Sequence, residues 1–211
     1  FYKGDKWLLS YRQIAYFSAS NRQGVCKMKP KELLSQIIED KYKETLKSNK
    51  SGMFEKINNL KPNAIGQVGE KFVKTFLTDC LGLEISQKHD EIIHKPFDIS
   101  VKNGANTIDI EIKTAQQDKN EKFQFNNIKP NHNCKYIVCM GITANKAFFN
   151  IIDGKINKNN KNKKIYLNVN NKRKLLTAMN PKDPVSFKLT LKLEDLEPIE
   201  NFESKLREIF E

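Results

Sequence analysis

Charged side chains are concentrated in the segment "KPFDISVKNGANTIDIEIKTAQQ", residues 95–117. Asp98 stands between two apolar residues, and Asp109, Glu111 and Lys113 alternate with isoleucines. Such alternation is typical of half-buried strands, in which successive side chains point to opposite faces. Carboxylates that lie close together repel, and a divalent cation would make their arrangement favourable. Their oxygen atoms suit Mg²⁺, and Lys113 on the same face can reach a phosphate or an attacking water.

The turn between the two predicted strands decides how these carboxylates face each other. It contains Asn103-Gly104, a strong hairpin pattern because both residues tolerate positive φ. A two-residue turn at this pair places Asp98 opposite Asp109, whereas a four-residue loop places Asp98 opposite Glu111. Both registers keep the carboxylates on one face. An ordinary solvent-facing strand is the alternative to a metal site.

A helix is predicted upstream, from residue 63 to Gly82, because apolar side chains recur there at helical spacing. Gly66 and Gly69 fall on this pattern, and they predict close packing of the helix against a sheet. Glu70 lies at the border of the apolar face. The apolar positions are Ile65, Val68, Phe72, Val73, Phe76, Leu77 and Cys80.

The order of these groups resembles the metal-binding signature of the PD-(D/E)xK nucleases, which include most type II restriction endonucleases. The family has an aspartate on one strand and a carboxylate and a lysine on the next; "PFD" at 96–98 and "EIK" at 111–113 match those positions. The proline and aspartate of the family are separated here by one residue. The resemblance implies that Glu70, Asp98 and Glu111 hold Mg²⁺ and that these three act in catalysis together with Lys113. Glu111 and Lys113 are expected to lie outside the core.

The resemblance covers residues 66 to 152, less than half of the chain. In many type II restriction enzymes an F-x-F-x-x-I-[KR] segment precedes two strands, and residues 123–129 match it. Tyr136–Ile142 is a continuous apolar run, which predicts a strand buried on both faces, and Ala147–Ile152 predicts the next strand. The polar residues in and beside this segment that are candidates for DNA contacts are Gln124, Asn126, Asn127 and Lys129.

The charge of the chain favours a polyanionic partner, since its 211 residues carry a formal net charge of +12. Residues 154–174, "GKINKNNKNKKIYLNVNNKRK", contain no acidic residue. Lys161, Lys163 and Lys164 in this basic segment are predicted to contact phosphates, with an affinity that falls as salt rises. Its asparagines are candidates for contacts to adenine edges. A solvated loop joining two strands is an equally good interpretation.

The remaining patterns exclude several classes of site. Four cysteines without a CxxC pair are predicted to be buried reduced thiols, although His132, Cys134 and Cys139 could begin a zinc site. The sequence contains no Gly-rich phosphate loop, Ser-His-Asp ordering or HExxH motif. It contains no signal peptide and no apolar run long enough to span a bilayer, so a cytoplasmic protein without a membrane partner is expected.

We therefore predict an α/β protein with a restriction-endonuclease-like core, in which a central mixed β-sheet is flanked by helices. Residues 1–55 are expected to form an N-terminal helical segment, with an amphipathic helix over 30–47, that covers the core or supplies a dimer surface. Residues 56–211 are expected to form the nuclease domain, including the basic segment 154–174.

The function implied by the resemblance is Mg²⁺-dependent hydrolysis of double-stranded DNA at a specific sequence. A type II restriction enzyme of this kind is expected to act as a homodimer, with a cognate DNA methyltransferase acting on the same site. A structure-selective repair or junction nuclease of the same fold is one alternative. A non-catalytic DNA-binding protein, whose carboxylates are only surface charges, is the other.

Overall fold

The computed structural model describes residues 28–45, 53–86, 97–104, 106–131, 133–159 and 164–210. The helices are α1 (Pro30–Thr45), α2 (Pro62–Thr75) and α3 (Phe202–Phe210), with single helical turns at Glu55–Asn59, Phe76–Cys80, Leu193–Asp195 and Ile199–Asn201. The strands are β1 (Ile85–Ser86), β2 (Ile99–Asn103), β3 (Asn106–Gln116), β4 (Lys122–Ile128), β5 (Tyr136–Ile142), β6 (Ala147–Asp153), β7 (Asn157–Asn159), β8 (Lys164–Val169), β9 (Lys172–Ala178), β10 (Phe187–Lys192) and β11 (Glu197–Pro198).

The first sheet has six strands in the order β1-β2-β3-β5-β6-β11. It is mixed, because β3 and β5 are parallel while the other neighbours are antiparallel. Burial of β5 on both faces is confirmed, since Val138 packs in the core under the helices and Ile137 in the core on the opposite face. The predicted α/β class, with a mixed sheet and flanking helices, is therefore confirmed at this level.

A second sheet covers the face of the first sheet that lies away from the helices. It is antiparallel, with the order β4-β10-β9-β8-β7. The described part of the basic segment 154–174 supplies β7, β8 and the start of β9, so it is paired strand rather than a solvated loop. The turn between β8 and β9 is made by Asn170 and Asn171, whose φ values of 49° and 62° suit asparagine in a tight hairpin. Lys161 and Lys163 lie outside the described residues.

The three helices share one hydrophobic core with the first sheet. Leu34 of α1 and Phe72 of α2 are both fully buried in it, so the described part of the N-terminal segment is packed onto the core. Phe202 of α3 contacts the rings of Phe72, Phe76 and Phe149 at centroid distances of 5.2, 5.3 and 5.0 Å. Contacts of this kind between aromatic rings hold α3 against both α2 and the sheet.

The predicted helix with the apolar stripe is confirmed as α2 followed by the turn Phe76–Cys80. It ends where Gly82 takes a φ of 66°, the left-handed conformation that commonly terminates helices. Every predicted apolar position of the stripe is buried. The stripe therefore identified the face that packs on the sheet.

The described cysteines differ in oxidation state. Cys134 and Cys139 are buried free thiols, as predicted, whereas Cys80 is disulfide-bonded, so the prediction of reduced thiols is wrong for Cys80. A disulfide requires two segments to approach within bonding distance, which local sequence patterns do not encode. His132 lies outside the described residues. No helix in the described part of the chain is long and apolar enough to cross a membrane.

Candidate active site

The hairpin of β2 and β3 determines which carboxylates meet. Asn103 pairs with Asn106, so the connection consists of the two residues between them rather than Asn103-Gly104. The paired residues end at Ile99 and Ile110, so Asp98 lies just beyond the ladder, and its N–H donates to the carbonyl oxygen of Ile110 at 3.0 Å. This register is the one predicted for a four-residue loop, but a two-residue connection produces it. The negative charge of Glu111 acts on the carboxyl of Asp98, so these two carboxylates lie close together.

Asp98 and Glu111 are held by different contacts. The N–H of Ile112 donates to Oδ2 of Asp98 at 2.7 Å. Glu111 is only 6% exposed and forms an ion pair with Lys113, so the expectation that Glu111 lies outside the core is wrong. A carboxylate this deeply buried needs a partner of opposite charge. Two carboxylates and one amine therefore converge at the open end of the hairpin.

Asp109, the third carboxylate of the predicted set, forms a hydrogen bond within the hairpin. It lies two residues nearer the turn than Glu111, where the hydroxyl of Ser100 donates to Oδ1 of Asp109 at 2.5 Å. This hydrogen bond satisfies Asp109 within the hairpin.

The electrostatics of Asp98 reflect its crowded position. Asp98 is exposed as a residue, but removal of water from its carboxylate and the negative charge of Glu111 raise the pKa of Asp98 to about 6. The hydrogen bond from Ile112 and the charge of Lys113 act in the opposite direction, and Glu70 adds a further increase. A cation between Asp98 and Glu111 would remove the repulsion between them.

Glu70 reaches the same group from α2. Partial burial raises the pKa of Glu70, the charge of Lys113 lowers it, and the charge of Glu111 raises it. The helix can lie this close to β3 because Gly69 has no side chain: a Cβ at that position would stand 1.9 Å from Oγ1 of Thr114. The predicted close packing at a glycine is therefore confirmed for Gly69, and it brings Glu70 within electrostatic range of the strand residues.

Asp98 and Glu111 fit Mg²⁺ in their chemistry, since both offer the hard oxygen ligands that this ion prefers. In the described residues no group of three or more His, Cys, Asp or Glu side chains is arranged to hold a metal ion. The fit therefore rests on two neighbouring carboxylates, Asp98 and Glu111. Glu70 as a third ligand stays a prediction.

A cleft of about 800 Å³ opens next to this group. A small pocket lined by Glu111 and Lys129 lies next to the cleft, since Cys134, Gly154 and Ile156 line both. The structure thus brings Lys129, a predicted DNA contact, together with the buried carboxylate. The charged residues that line the cleft are two aspartates, Asp109 and Asp153, and three lysines that were not singled out in the sequence: Lys135, Lys155 and Lys158. In a chain with 37 lysines and arginines, only their position around a common cleft distinguishes them.

The other predicted DNA contacts lie elsewhere. Gln124 and Asn126 alternate along β4 with buried phenylalanines and are exposed on the outer face of the second sheet. Gln124 donates to Asp118 at 2.8 Å. Asn127 is exposed and has a φ of 61°, next to an irregularity in the pairing of β4 with β10. Lys164 begins β8 and is exposed. These residues are therefore separated from the carboxylate group by the thickness of the second sheet.

Comparison of the chain with protein-family models, with curated proteins and with solved structures finds no match.

Proposed function

We propose that this protein is an Mg²⁺-dependent endonuclease that hydrolyses phosphodiester bonds of double-stranded DNA. The observation that carries the proposal is the meeting of Asp98, Glu111 and Lys113 at one end of a hairpin, beside a cleft lined by lysines. The opposed carboxylates suit a divalent cation, and the lysines suit a polyanion. A purely structural hairpin needs neither feature.

Each residue of the group has a distinct role in this proposal. Asp98 and Glu111 would hold the ion, which when bound polarises the scissile phosphate and lowers the pKa of a water. The amine of Lys113, kept in place by Glu111, would donate to the phosphate as negative charge develops on it or orient the attacking water. Glu70 would add its carboxylate from α2.

The cleft would hold the DNA backbone against this group. Lys129 lies in the pocket of Glu111, and Lys135, Lys155 and Lys158 extend the positive lining along the cleft. Contacts from lysine to phosphate position a duplex without reading its sequence. A duplex held in this way would have a phosphodiester bond near Asp98 and Glu111.

The proposal also names the kind of nuclease. We propose a type II restriction enzyme with a restriction-endonuclease-like core, which acts as a homodimer and is accompanied by a DNA methyltransferase of the same specificity. The order of Glu70, Asp98, Glu111 and Lys113 in the chain supports this assignment. The helix–hairpin–strand arrangement of α2, β2, β3 and β5 supports it as well.

The deciding experiment is digestion of a long unmodified DNA with the purified chain, in Mg²⁺ and in EDTA, followed by sequencing of the ends. We expect cleavage only with Mg²⁺, at one sequence, and a loss of at least about 100-fold in rate for Glu111→Gln. Glu208→Gln, which removes an exposed carboxylate from α3, is the matched control and should cut like the parent. Preference for branched DNA would support a junction nuclease instead. Absence of cleavage on every substrate would overturn the proposal.

A further inference from the structure

The second sheet has a charge composition unlike that of the rest of the chain. None of its five strands contains an aspartate or a glutamate. Three of its lysines are on the face towards the first sheet: Lys158 lines the cleft, Lys174 forms an ion pair with Asp195 at 2.6 Å, and Lys172 acts on the same carboxylate through its charge. The basic residues on the outer face are Lys122, Lys164, Arg173, Lys188 and Lys192.

The centre of this outer face is uncharged. One row of cross-strand neighbours runs from Asn157 through Tyr166 to Leu175. On the same face, Gln124 pairs with Thr190 towards the other edge of the sheet. Leu175 is 46% exposed, so the described residues leave this part of the row open. The face is thus a neutral strip bordered by positive charge.

The positive charge is strongest away from one corner of the face. At that corner Glu194 lies 3.7 Å from Lys192, and Asp118 accepts a hydrogen bond from Gln124. Lys188 lies near the start of β10, four residues before Lys192, and Arg173 lies on the neighbouring strand β9. They are the residues on which a polyanion would depend most.

We infer that the outer face of the second sheet is a second DNA-binding surface, which holds duplex DNA through its phosphates outside the cleft. The inference rests on the proposed function, in which duplex DNA is the substrate. Five strands spaced about 4.8 Å apart span roughly 19 Å, which exceeds the width of either groove of a duplex, about 12 and 6 Å. Basic side chains at opposite borders can therefore reach phosphates on both strands.

Two other occupants fit the face less well. Single-stranded nucleic acid is bound by stacking of bases on exposed rings, but the guanidinium of Arg173 already lies 4.6 Å from the centre of the Tyr166 ring. A second copy of the chain in a two-fold dimer would bring the same patch against itself, and its positive side chains would repel. Phosphates of a duplex are complementary to the border without needing a ring.

The test measures binding of a fluorescein-labelled duplex and of the matching single strand by anisotropy in EDTA, where no cutting occurs. For Arg173→Gln/Lys188→Gln we expect duplex affinity to fall about tenfold, and the slope of log affinity against log salt to flatten by roughly 2, because two phosphate contacts are lost. The control Lys29→Gln/Lys146→Gln removes the same charge from exposed positions outside the sheet and should bind like the parent.

A second variant guards against a folding defect. Thr177→Glu adds a carboxylate on the outer face beside Lys188, its cross-strand neighbour, so the sheet gains an opposite-charge pair while the face loses positive charge. It should also weaken duplex binding.

Three results would overturn the inference. The first is unchanged duplex binding in both face variants, and the second is a larger loss of affinity for the single strand than for the duplex. The third is sedimentation of the face variants as monomers where the parent sediments as a dimer. Failure of the proposed catalysis is distinguishable from these. A parent that binds duplex DNA through this face but does not cut it leaves the inference standing. A parent that cuts DNA while the face variants bind normally removes the inference alone.

Discussion

Glu111 has a structural role and a proposed catalytic role, and substitutions can separate the two. It is nearly buried, and Lys113 compensates its charge, so the pair contributes to folding as well as to the proposed chemistry. Lys113→Met removes the amine that forms an ion pair with this buried carboxylate, and we expect the free energy of unfolding to fall by about 3 kcal/mol. The double variant Glu111→Gln/Lys113→Met removes both charges and should be more stable than Lys113→Met alone.

Urea unfolding of the two variants checks this prediction, and cleavage assays on the same samples check the catalytic role. Both variants should be inactive. If Lys113→Met cuts DNA like the parent, Lys113 serves only to balance the charge of Glu111.

The pKa of Asp98 predicts how the metal-free protein responds to pH. A carboxyl whose pKa rises from 3.8 to about 6 on folding binds more protons in the folded state between these values. The free energy of unfolding should therefore fall as pH rises from about 4 to 6, and Asp98→Asn should remove this part of the fall. Thermal unfolding in EDTA at several pH values measures it; an identical pH profile in Asp98→Asn would contradict the shift.

At the scale of elements, the contact between α2 and β3 decides where Glu70 stands. Oγ1 of Thr114 is a buried hydroxyl oxygen without a hydrogen-bond partner in the described structure, and it faces Gly69. Gly69→Ala would press a methyl group against it and push the helix outward. We expect a loss of about 1–3 kcal/mol in stability and at least a tenfold slower cleavage.

Rescue by a second substitution makes this prediction specific. Gly69→Ala/Thr114→Ala removes the opposing oxygen and should recover most of the cleavage rate, because α2 can return to the sheet. Thr114→Val keeps an atom in the same place and should not rescue Gly69→Ala. Equal activity of the two double variants, measured under conditions where both are folded, would show that the helix position does not control the site.

At the scale of the whole molecule, a buried polar network joins the two sheets. Asn150 of the first sheet donates to the carbonyl oxygen of Asp195 at 2.6 Å and to Asn170 at 3.0 Å, while Lys174 of the second sheet donates to the Asp195 carboxylate at 2.8 Å. Burial favours the neutral acid, but the hydrogen bonds from Lys174 and from the N–H of Lys192 keep the pKa of Asp195 below its usual value. The ionised carboxylate therefore holds the second sheet in place.

Removal of the negative charge of Asp195 should weaken the packing between the two sheets. We expect Asp195→Asn to lower the free energy of unfolding at neutral pH by about 2–4 kcal/mol, since it leaves Lys174 partly buried without its partner. The contribution of Asp195 is present above pH 3.8 and should be lost as pH falls below that value. Glu194→Gln, at the exposed neighbouring position, should leave stability unchanged in the same denaturation series.

Local patterns in the sequence were enough to predict several elements. The apolar run Tyr136–Ile142 is a strand with those bounds, and the stripe of α2 is buried as its spacing indicated, because both patterns depend on neighbours within a few residues. The alternation in β3 likewise placed Glu111 and Lys113 on one face. The type of each element and the side chains that share a face were therefore determined by the sequence.

Contacts between distant segments decided the rest. Both candidate registers satisfy the same alternation, so only the pairing of β2 with β3 and the contacts beyond it brought Asp98 close to Glu111. The second sheet, the pairing of Lys174 with Asp195, and the position of Lys129 in the pocket of Glu111 all join residues that are remote in the chain. The sequence thus determined which side chains could act together on each element, and the packing of helices and sheets determined which of them meet, because burial and charge pairing are settled only when the elements come together.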